Sequence, residues 1–140
     1  MPKFGRKSTE LRQYLCKDLR RLVDEVIKTY DFSIVESFRS KEDQEVAYIN
    51  GFSRAHFGES AHNYNPSFAV DCYPYPIPRK EVQGVIVIDD YSEEWDKMVA
   101  AFKTAAKKLN IELICGADYK MFRDAPHFEI SGWKDKIKEI

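Results

Sequence analysis

Apolar residues recur at helical spacing in two long stretches of the chain. The first stretch covers residues 11–27 and follows Ser8, whose hydroxyl suits an N-cap, so it predicts one amphipathic helix of about five turns. The second stretch covers residues 95–109 and follows Ser92 and two glutamates, which favour the first turn of a helix. Both helices are expected to bury their apolar stripes in a common core.

Outside these helices the pattern changes to short apolar runs that are typical of strands. It predicts strands at residues 32–35, 68–73, 111–115 and 127–130, a helix at 40–50 that begins with the capping pair Ser40 and Asp43, and a short helix or tail at 133–140. Three prolines within 74–78 exclude a central strand there, and the apolar run 84–88 predicts a further strand or a flap. These elements predict an α+β domain with a small, mostly antiparallel sheet and flanking helices.

The composition is that of a globular protein with one domain, residues 1–140, which is long enough to bury a core without disulfides or a structural metal. A formal net charge of −1 gives no general attraction to nucleic acid, and three widely spaced cysteines favour reduced thiols. The N-terminus lacks the apolar run of a signal peptide, and no stretch approaches the ~20 apolar residues of a membrane span. We expect a monomer that is made in a cytosol and does not insert in a membrane.

Candidate chemistry concentrates around two histidines, His62 and His127. Together with the carboxylate of Asp71 they are the three ligands that a catalytic zinc uses while its fourth position stays open for water. Asp71 lies within an apolar strand, where a carboxylate is costly unless it is paired or bound to a cation. A hydrogen-bonded aspartate remains the alternative for Asp71. His56 remains an alternative ligand, although a loop histidine more often faces solvent.

Two carboxylates flank His127 and compete for the role of general base. Asp124 lies in the loop before the strand, where it can fold over the open coordination position and take a proton from water. Glu129 lies two residues along the strand on the same face as His127, where it more naturally orients the imidazole. Arg39 follows a predicted strand, a common place for a functional side chain, but a lone arginine is more often part of a surface ion pair.

These segments resemble the motifs of the zinc D,D-carboxypeptidase and L-alanyl-D-glutamate endopeptidase family, which includes VanY-like and VanX-like peptidases and many phage endolysins. The matching segments occur in the family's order and are Ser37-Phe-Arg39-Ser40 with Gln44, Ser60-Ala-His62, Ala69-Val-Asp71, residues 116–124 and Asp124-Ala-Pro-His127-Phe-Glu129. The step from His62 to Asp71 is longer than is usual in this family. The extra residues are expected to bulge in the turn, because lengthening a loop costs little free energy.

The resemblance implies a Hedgehog/DD-peptidase-like fold with a single Zn²⁺ held by His62, Asp71 and His127. It implies a zinc peptidase that cuts the stem peptide of bacterial peptidoglycan, closest in type to an L-alanyl-D-glutamate endopeptidase acting as a phage endolysin. Such a protein stays in the host cytoplasm until another phage protein opens the membrane and gives it access to the cell wall.

The resemblance also implies roles for four residues around the metal. Asp124 would be the general base, and Arg39 would steady the substrate carbonyl or its developing oxyanion. Ser60 would join Arg39 in binding substrate, and Glu129 would support the zinc ligands.

Two alternative functions fit the same motifs. One is a D,D-carboxypeptidase or D,D-dipeptidase, which trims the end of the peptide. The other is a non-catalytic zinc-binding domain of the same fold. The presence of both Asp124 and Arg39 argues against the second alternative, because a purely structural site needs neither side chain.

Overall fold

The computed structural model describes residues 2–137 of the chain. Its helices are α1 (Arg6–Arg12), α2 (Lys17–Ile27), α3 (Lys41–Ile49), α4 (Glu93–Leu109) and α5 (Trp133–Lys136). Its strands are β1 (Phe32–Glu36), β2 (Ala69–Pro74), β3 (Arg79–Val82), β4 (Val85–Ile88), β5 (Leu113–Cys115) and β6 (His127–Ile130). Two single 3-10 turns lie at Ala61–Asn63 and Gly116–Asp118. The end of the expected terminal helix, residues 138–140, falls outside the described residues.

The main sheet has four strands in the order β1-β2-β6-β5, and every neighbouring pair is antiparallel. The predicted α+β architecture is therefore confirmed. The register places Asp71 of β2 opposite Glu36 of β1 on one side and opposite His127 of β6 on the other. Since directly opposed residues of antiparallel strands point to the same face, these three side chains lie together.

Helix α4 covers the sheet and packs on α2, β2 and β5. Its Ser92 hydroxyl accepts a hydrogen bond from the N–H of Glu94, and Asn110 ends the helix in the left-handed conformation at a φ of 58°. In the core, the ring of Phe102 stacks on that of Phe128 with centroids 3.9 Å apart. Burial of each such ring stabilises the fold by about 1.5–3 kcal/mol, so α4 fixes the sheet that carries the polar residues of the opposite face.

The prediction of one long N-terminal helix is wrong, because the chain forms α1 and α2 with a break between them. Leu15, in the break, is fully buried and forms a parallel bridge with Ser67. The N–H of Cys16 donates to the Ser67 carbonyl at 2.9 Å, which replaces a hydrogen bond of a continuous helix. Ser8 is not the N-cap but lies inside α1, where its hydroxyl accepts from the N–H of Ile34.

Strands β3 and β4 form a separate two-stranded hairpin whose turn has positive φ at Gln83 and Gly84. The apolar side chains of β4 are largely exposed, with Val85 at 60% and Ile86 at 63%. The segment is therefore both a strand and an apolar flap. Within residues 2–137 no helix has the length and apolar character needed to cross a membrane.

Candidate active site

Three side chains with metal-binding groups converge on one face of the main sheet, over its central strands β2 and β6. Nε2 of His62 lies 3.1 Å from Oδ1 of Asp71, and Nδ1 of His127 lies 3.1 Å from the same oxygen. The candidate ligand atoms all lie within 4.8 Å of one another. The long step between His62 and Asp71 is taken up by the turn at residues 64–68, so the two side chains still meet.

Backbone groups fix the orientation of the His62 ring. Nδ1 lies 2.7 Å from the carbonyl oxygen of Ser37. Because a carbonyl only accepts, Nδ1 carries a proton and donates it to Ser37, so Nε2 is the ring nitrogen that faces Asp71. The His62 carbonyl accepts from the N–H of Arg39 at 2.7 Å, and its N–H donates to the hydroxyl of Ser60 at 3.2 Å. The Nδ1 edge of the imidazole, which faces away from Asp71, is thus held by the backbone.

His127 is held between two carboxylates. Its Nε2 lies 2.7 Å from Oε1 of Glu129, which also accepts from the hydroxyl of Tyr119, while Oε2 accepts from the indole of Trp133. Burial alone would lower the pKa of His127, but the hydrogen bonds to Asp71 and Glu129 outweigh it and raise the pKa to about 10. Burial likewise opposes ionisation of Asp71, yet the two histidines hold the pKa of its carboxyl well below the usual range.

The donor set of this group fits zinc. Two imidazole nitrogens and one carboxylate oxygen suit Zn²⁺ and leave a fourth coordination position open. The second nitrogen of each ring already bonds to Ser37 or Glu129, which is the outer contact that orients a ligand histidine. The chain therefore brings together the three residues that were expected to bind a metal.

Arg39 reaches this group from the turn between β1 and α3. Its Nε and Nη2 donate to the two carboxylate oxygens of Glu36 at 2.6 and 2.8 Å, and its Nη1 donates to Gln44 at 2.9 Å. Burial alone would lower the pKa of Arg39, but Glu36 outweighs it and raises the pKa. Nη2 also lies 3.9 Å from Oδ2 of Asp71. A guanidinium has more N–H donors than these contacts use, so the fixed group can still donate to a substrate.

Asp124 lies half-buried in the loop before β6. Burial raises the pKa of Asp124, and the negative charge of Asp71 raises it further. The Asp124 N–H donates to the carbonyl of Gly116 at 2.9 Å, and its carbonyl accepts from the N–H of His127 at 3.1 Å. A Cβ atom at Gly116 would collide with the Asp124 carbonyl and lie 2.9 Å from Cβ of His127. Glycine therefore permits the close approach that sets Asp124 beside the ligand group.

A cavity of about 460 Å³ opens over these residues. We call its base the floor, which consists of His62, Asp71, His127, Arg39 and Asp124. We call its sides the wall, which comes from the segments after α3 and before β6 and consists of Phe52, Ser53, Arg54, Tyr119, Lys120, Met121 and Phe122. Ser60 also lines the cavity. A second cavity of about 610 Å³ shares Phe52, Phe122 and Asp124 with the first, so the cleft continues past Asp124.

Comparison with known proteins identifies the family. A family model described as phage L-alanyl-D-glutamate peptidase matches residues 1–132. The chain belongs to this family. Its membership confirms the sequence-based prediction of an enzyme of the endolysin type, a peptidoglycan peptidase with L-alanyl-D-glutamate specificity.

A solved structure confirms the fold of this phage L-alanyl-D-glutamate peptidase. The crystal structure of the Serratia marcescens L-Ala D-Glu endopeptidase ChiX is similar with a TM-score of 0.74. The match has 23% sequence identity and covers 96% of this chain and 93% of that chain. The arrangement of α4 and the antiparallel sheet is therefore that of a known endopeptidase fold.

His56 lies apart from the ligand group. Its ring packs against Tyr48 with centroids 3.9 Å apart, and Nδ1 lies 3.4 Å from a carboxylate oxygen of Glu45. The side chain is 55% exposed. Of the two histidines in this part of the chain, the fold brings only His62 to Asp71.

Sequence reasoning missed two residues that hold the floor in place. Glu36 clamps Arg39, and Asn63 links its neighbours by donating to the side chain of Gln44 and accepting from the N–H of Ser60. Gln44 is fully buried. The only signal in the sequence was the position of Glu36 at a strand end, three residues before Arg39, and that spacing equally fits a surface ion pair.

Proposed function

We propose that the chain is a single zinc peptidase domain that hydrolyses the L-alanyl–D-glutamate bond in the stem peptide of bacterial peptidoglycan. The observation that carries this proposal is the convergence of His62, Asp71 and His127, with ligand atoms within 4.8 Å of one another, in one cleft with Asp124 and Arg39. A zinc ion bound there supplies a Lewis acid, which lowers the pKa of water and polarises the scissile carbonyl.

Asp124 acts as the general base and then as the acid that protonates the leaving amine. It lines the cleft beside the ligand group without belonging to it. Its raised pKa suits a carboxyl group that must first accept a proton and then give it back. Glu129 is already engaged by His127, Tyr119 and Trp133, so it orients the ligand and does not transfer the proton.

Arg39 and Ser60 bind the substrate. The guanidinium of Arg39 is fixed by Glu36 beside Asp71, so it can oppose the negative charge that grows on the carbonyl oxygen without rearranging first. The hydroxyl oxygen of Ser60 accepts from the N–H of His62, which leaves the hydroxyl proton for a substrate carbonyl at the rim of the cleft.

The shape of the cleft favours an endopeptidase over a D,D-carboxypeptidase or a D,D-dipeptidase. Asp124 borders two adjoining cavities, of about 460 and 610 Å³, so there is room for peptide on both sides of the reacting bond. A carboxypeptidase needs extended room on one side only. The non-catalytic alternative leaves unexplained why Asp124 and an Arg39 that is held in place by Glu36 line the same cleft.

The biological setting follows from the same assignment. The protein acts as a monomeric phage endolysin whose partner is the peptidoglycan stem peptide, and its net charge of −1 gives no general attraction to nucleic acid. It remains in the host cytoplasm until it is released to the cell wall.

Mass spectrometry of digested peptidoglycan tests the proposal. The zinc-loaded protein should release stem peptides that begin with D-glutamate and leave L-alanine on the glycan. Release of terminal D-alanine or its dipeptide would support the carboxypeptidase or dipeptidase alternative. Intact peptidoglycan after treatment with folded, zinc-loaded protein would support the non-catalytic one.

A further inference from the structure

We propose that Arg54 recognises the free carboxylate of the substrate's D-glutamate residue. This inference rests on the proposed function and adds the side chain that selects the substrate by its charge. A glutamate residue inside a peptide uses one carboxyl group to continue the chain and keeps the other. The cut bond therefore lies close to an anion, and a cleft that selects this substrate needs a cation that is not already neutralised.

Arg54 meets that requirement in the same cavity as the ligand group. Among the described residues, the arginines that form ion pairs are Arg12, Arg21, Arg39 and Arg123. Arg54 is not one of them. Arg39 also lines the cavity, but the carboxylate of Glu36 already neutralises it. Among the described residues the wall therefore offers an arginine without a carboxylate partner, which the floor does not.

Contacts on both sides restrict where Arg54 can point. Its guanidinium carbon lies over the ring of Phe122, 5.1 Å from the ring centre, which is within cation–π distance. This contact uses the face of the guanidinium and not its N–H donors. The preceding Ser53 is pinned, because its hydroxyl accepts from the side chain of Gln44 at 3.0 Å and from the N–H of Ala55 at 3.1 Å. The exposed side chain thus stands on a fixed backbone.

Lys120 is the other cation of the wall. Lys120 is less suited to recognise the glutamate carboxylate, because an ammonium is a hydrated point charge whereas a guanidinium offers a planar pair of N–H donors that matches a carboxylate. The cation–π contact with Phe122 adds to this difference, since it favours one position of the Arg54 side chain before substrate arrives. Arg54 is therefore a specificity-determining residue, and Lys120 contributes at most a general attraction.

Two peptides that differ in one group test the proposal. Both contain the L-alanyl–D-glutamate bond. The glutamate carboxyl group that does not continue the peptide chain is a free carboxylate in one peptide and a carboxamide in the other. The zinc-loaded wild type should cleave the carboxylate peptide with a kcat/KM roughly ten- to a hundredfold higher, the range expected for hydrogen bonds to a charged group. In Arg54→Ala this ratio should fall to near one. A ratio does not depend on the fraction of folded enzyme, so it separates recognition from stability.

Matched variants complete the experiment. Arg79→Ala, which removes an exposed arginine of β3, and Lys120→Ala should both keep the preference. Arg54→Lys should give an intermediate ratio, and it replaces Arg54→Ala if that variant is too slow to assay. A wild type without preference, a preference that survives in Arg54→Ala, or its loss in Lys120→Ala alone would each overturn the assignment. If the wild type cuts neither peptide, the proposed function itself fails, and this inference fails with it.

Discussion

Most polar side chains on the floor of the cleft are held by hydrogen bonds from behind, whereas every wall side chain except Ser53 is exposed. On the floor, His62 bonds to a carbonyl, His127 to Glu129 and Arg39 to Glu36. The wall exposes 79% of Phe52 and 89% of Met121. Both regions line one cavity, yet side-chain hydrogen bonds hold the wall only at Ser53 and Tyr119 among the described residues.

This difference separates two tasks. A reaction that develops charge is accelerated by groups that are already oriented, so the floor residues are expected to control turnover. Exposed side chains on loops adapt to a ligand and contribute to its selection, so the wall residues are expected to control which substrate binds. The comparison would fail if floor substitutions changed mainly substrate selection, or if wall substitutions changed mainly turnover.

The largest effect is expected from His62→Ala on the floor. Loss of one of three ligands should remove both bound zinc and activity, whereas His56→Ala should keep both, because His56 packs on Tyr48 outside the group. Elemental analysis and a wall-lysis assay on the two variants measure this. The reverse pattern would place the site in the loop that carries His56.

Asp124→Ala should have the next largest effect. The variant should bind zinc, but its kcat should fall by roughly 10²–10⁴, the usual contribution of a general acid–base group. Glu129→Ala should mainly weaken zinc binding, by roughly 10–100-fold, because Glu129 orients a ligand. Turnover of zinc-saturated variants decides between them. An active Asp124→Ala beside an inactive, fully metallated Glu129→Ala would reverse the two roles.

Arg39→Ala should keep its zinc and lower kcat by about a hundredfold or more, because it removes a donor to the oxyanion. Arg12→Ala is the matched control, since Arg12 forms a similar two-pronged pair with Asp24 at 2.6 and 2.7 Å away from the cleft. Its kcat should be unchanged. Normal turnover in Arg39→Ala would mean that Arg39 only forms an ion pair with Glu36 and has no catalytic role.

Phe52→Ala on the wall should have the smallest effect. It should lower kcat/KM less than about tenfold, mainly through KM, and leave Tm unchanged, because an exposed ring contributes little to folding. Phe102→Ala provides the contrast, since this buried, stacked ring should cost about 3–5 kcal/mol of stability. A loss of kcat in Phe52→Ala as large as that in Arg39→Ala would remove the distinction between wall and floor.

The parts of the molecule that the sequence predicts correctly depend on local signals. Ser92 and Asn110 mark the ends of α4 by capping, and the apolar runs mark the strands. Asp71 is predicted as a metal ligand because its carboxylate interrupts an apolar strand, and this signal is local too. The pairing of Asp71 with His127 then follows from the strand register, which places them opposite each other.

The parts that sequence analysis missed depend on contacts between distant segments. The break between α1 and α2 arises because Leu15 pairs with Ser67, a contact that helical periodicity cannot reveal. The cation–π contact between Arg54 and Phe122 likewise joins two loops that are far apart in the chain. In both cases tertiary hydrogen bonding or packing decides the local conformation.

The zinc content of the protein tests the central claim most directly. Protein purified without exposure to chelators should contain about one zinc per chain, consistent with one three-ligand site. Removal of the metal should abolish wall lysis but leave a folded domain, because the core is large enough without it, and added zinc should restore lysis. Folded, active protein that contains no zinc would contradict the account.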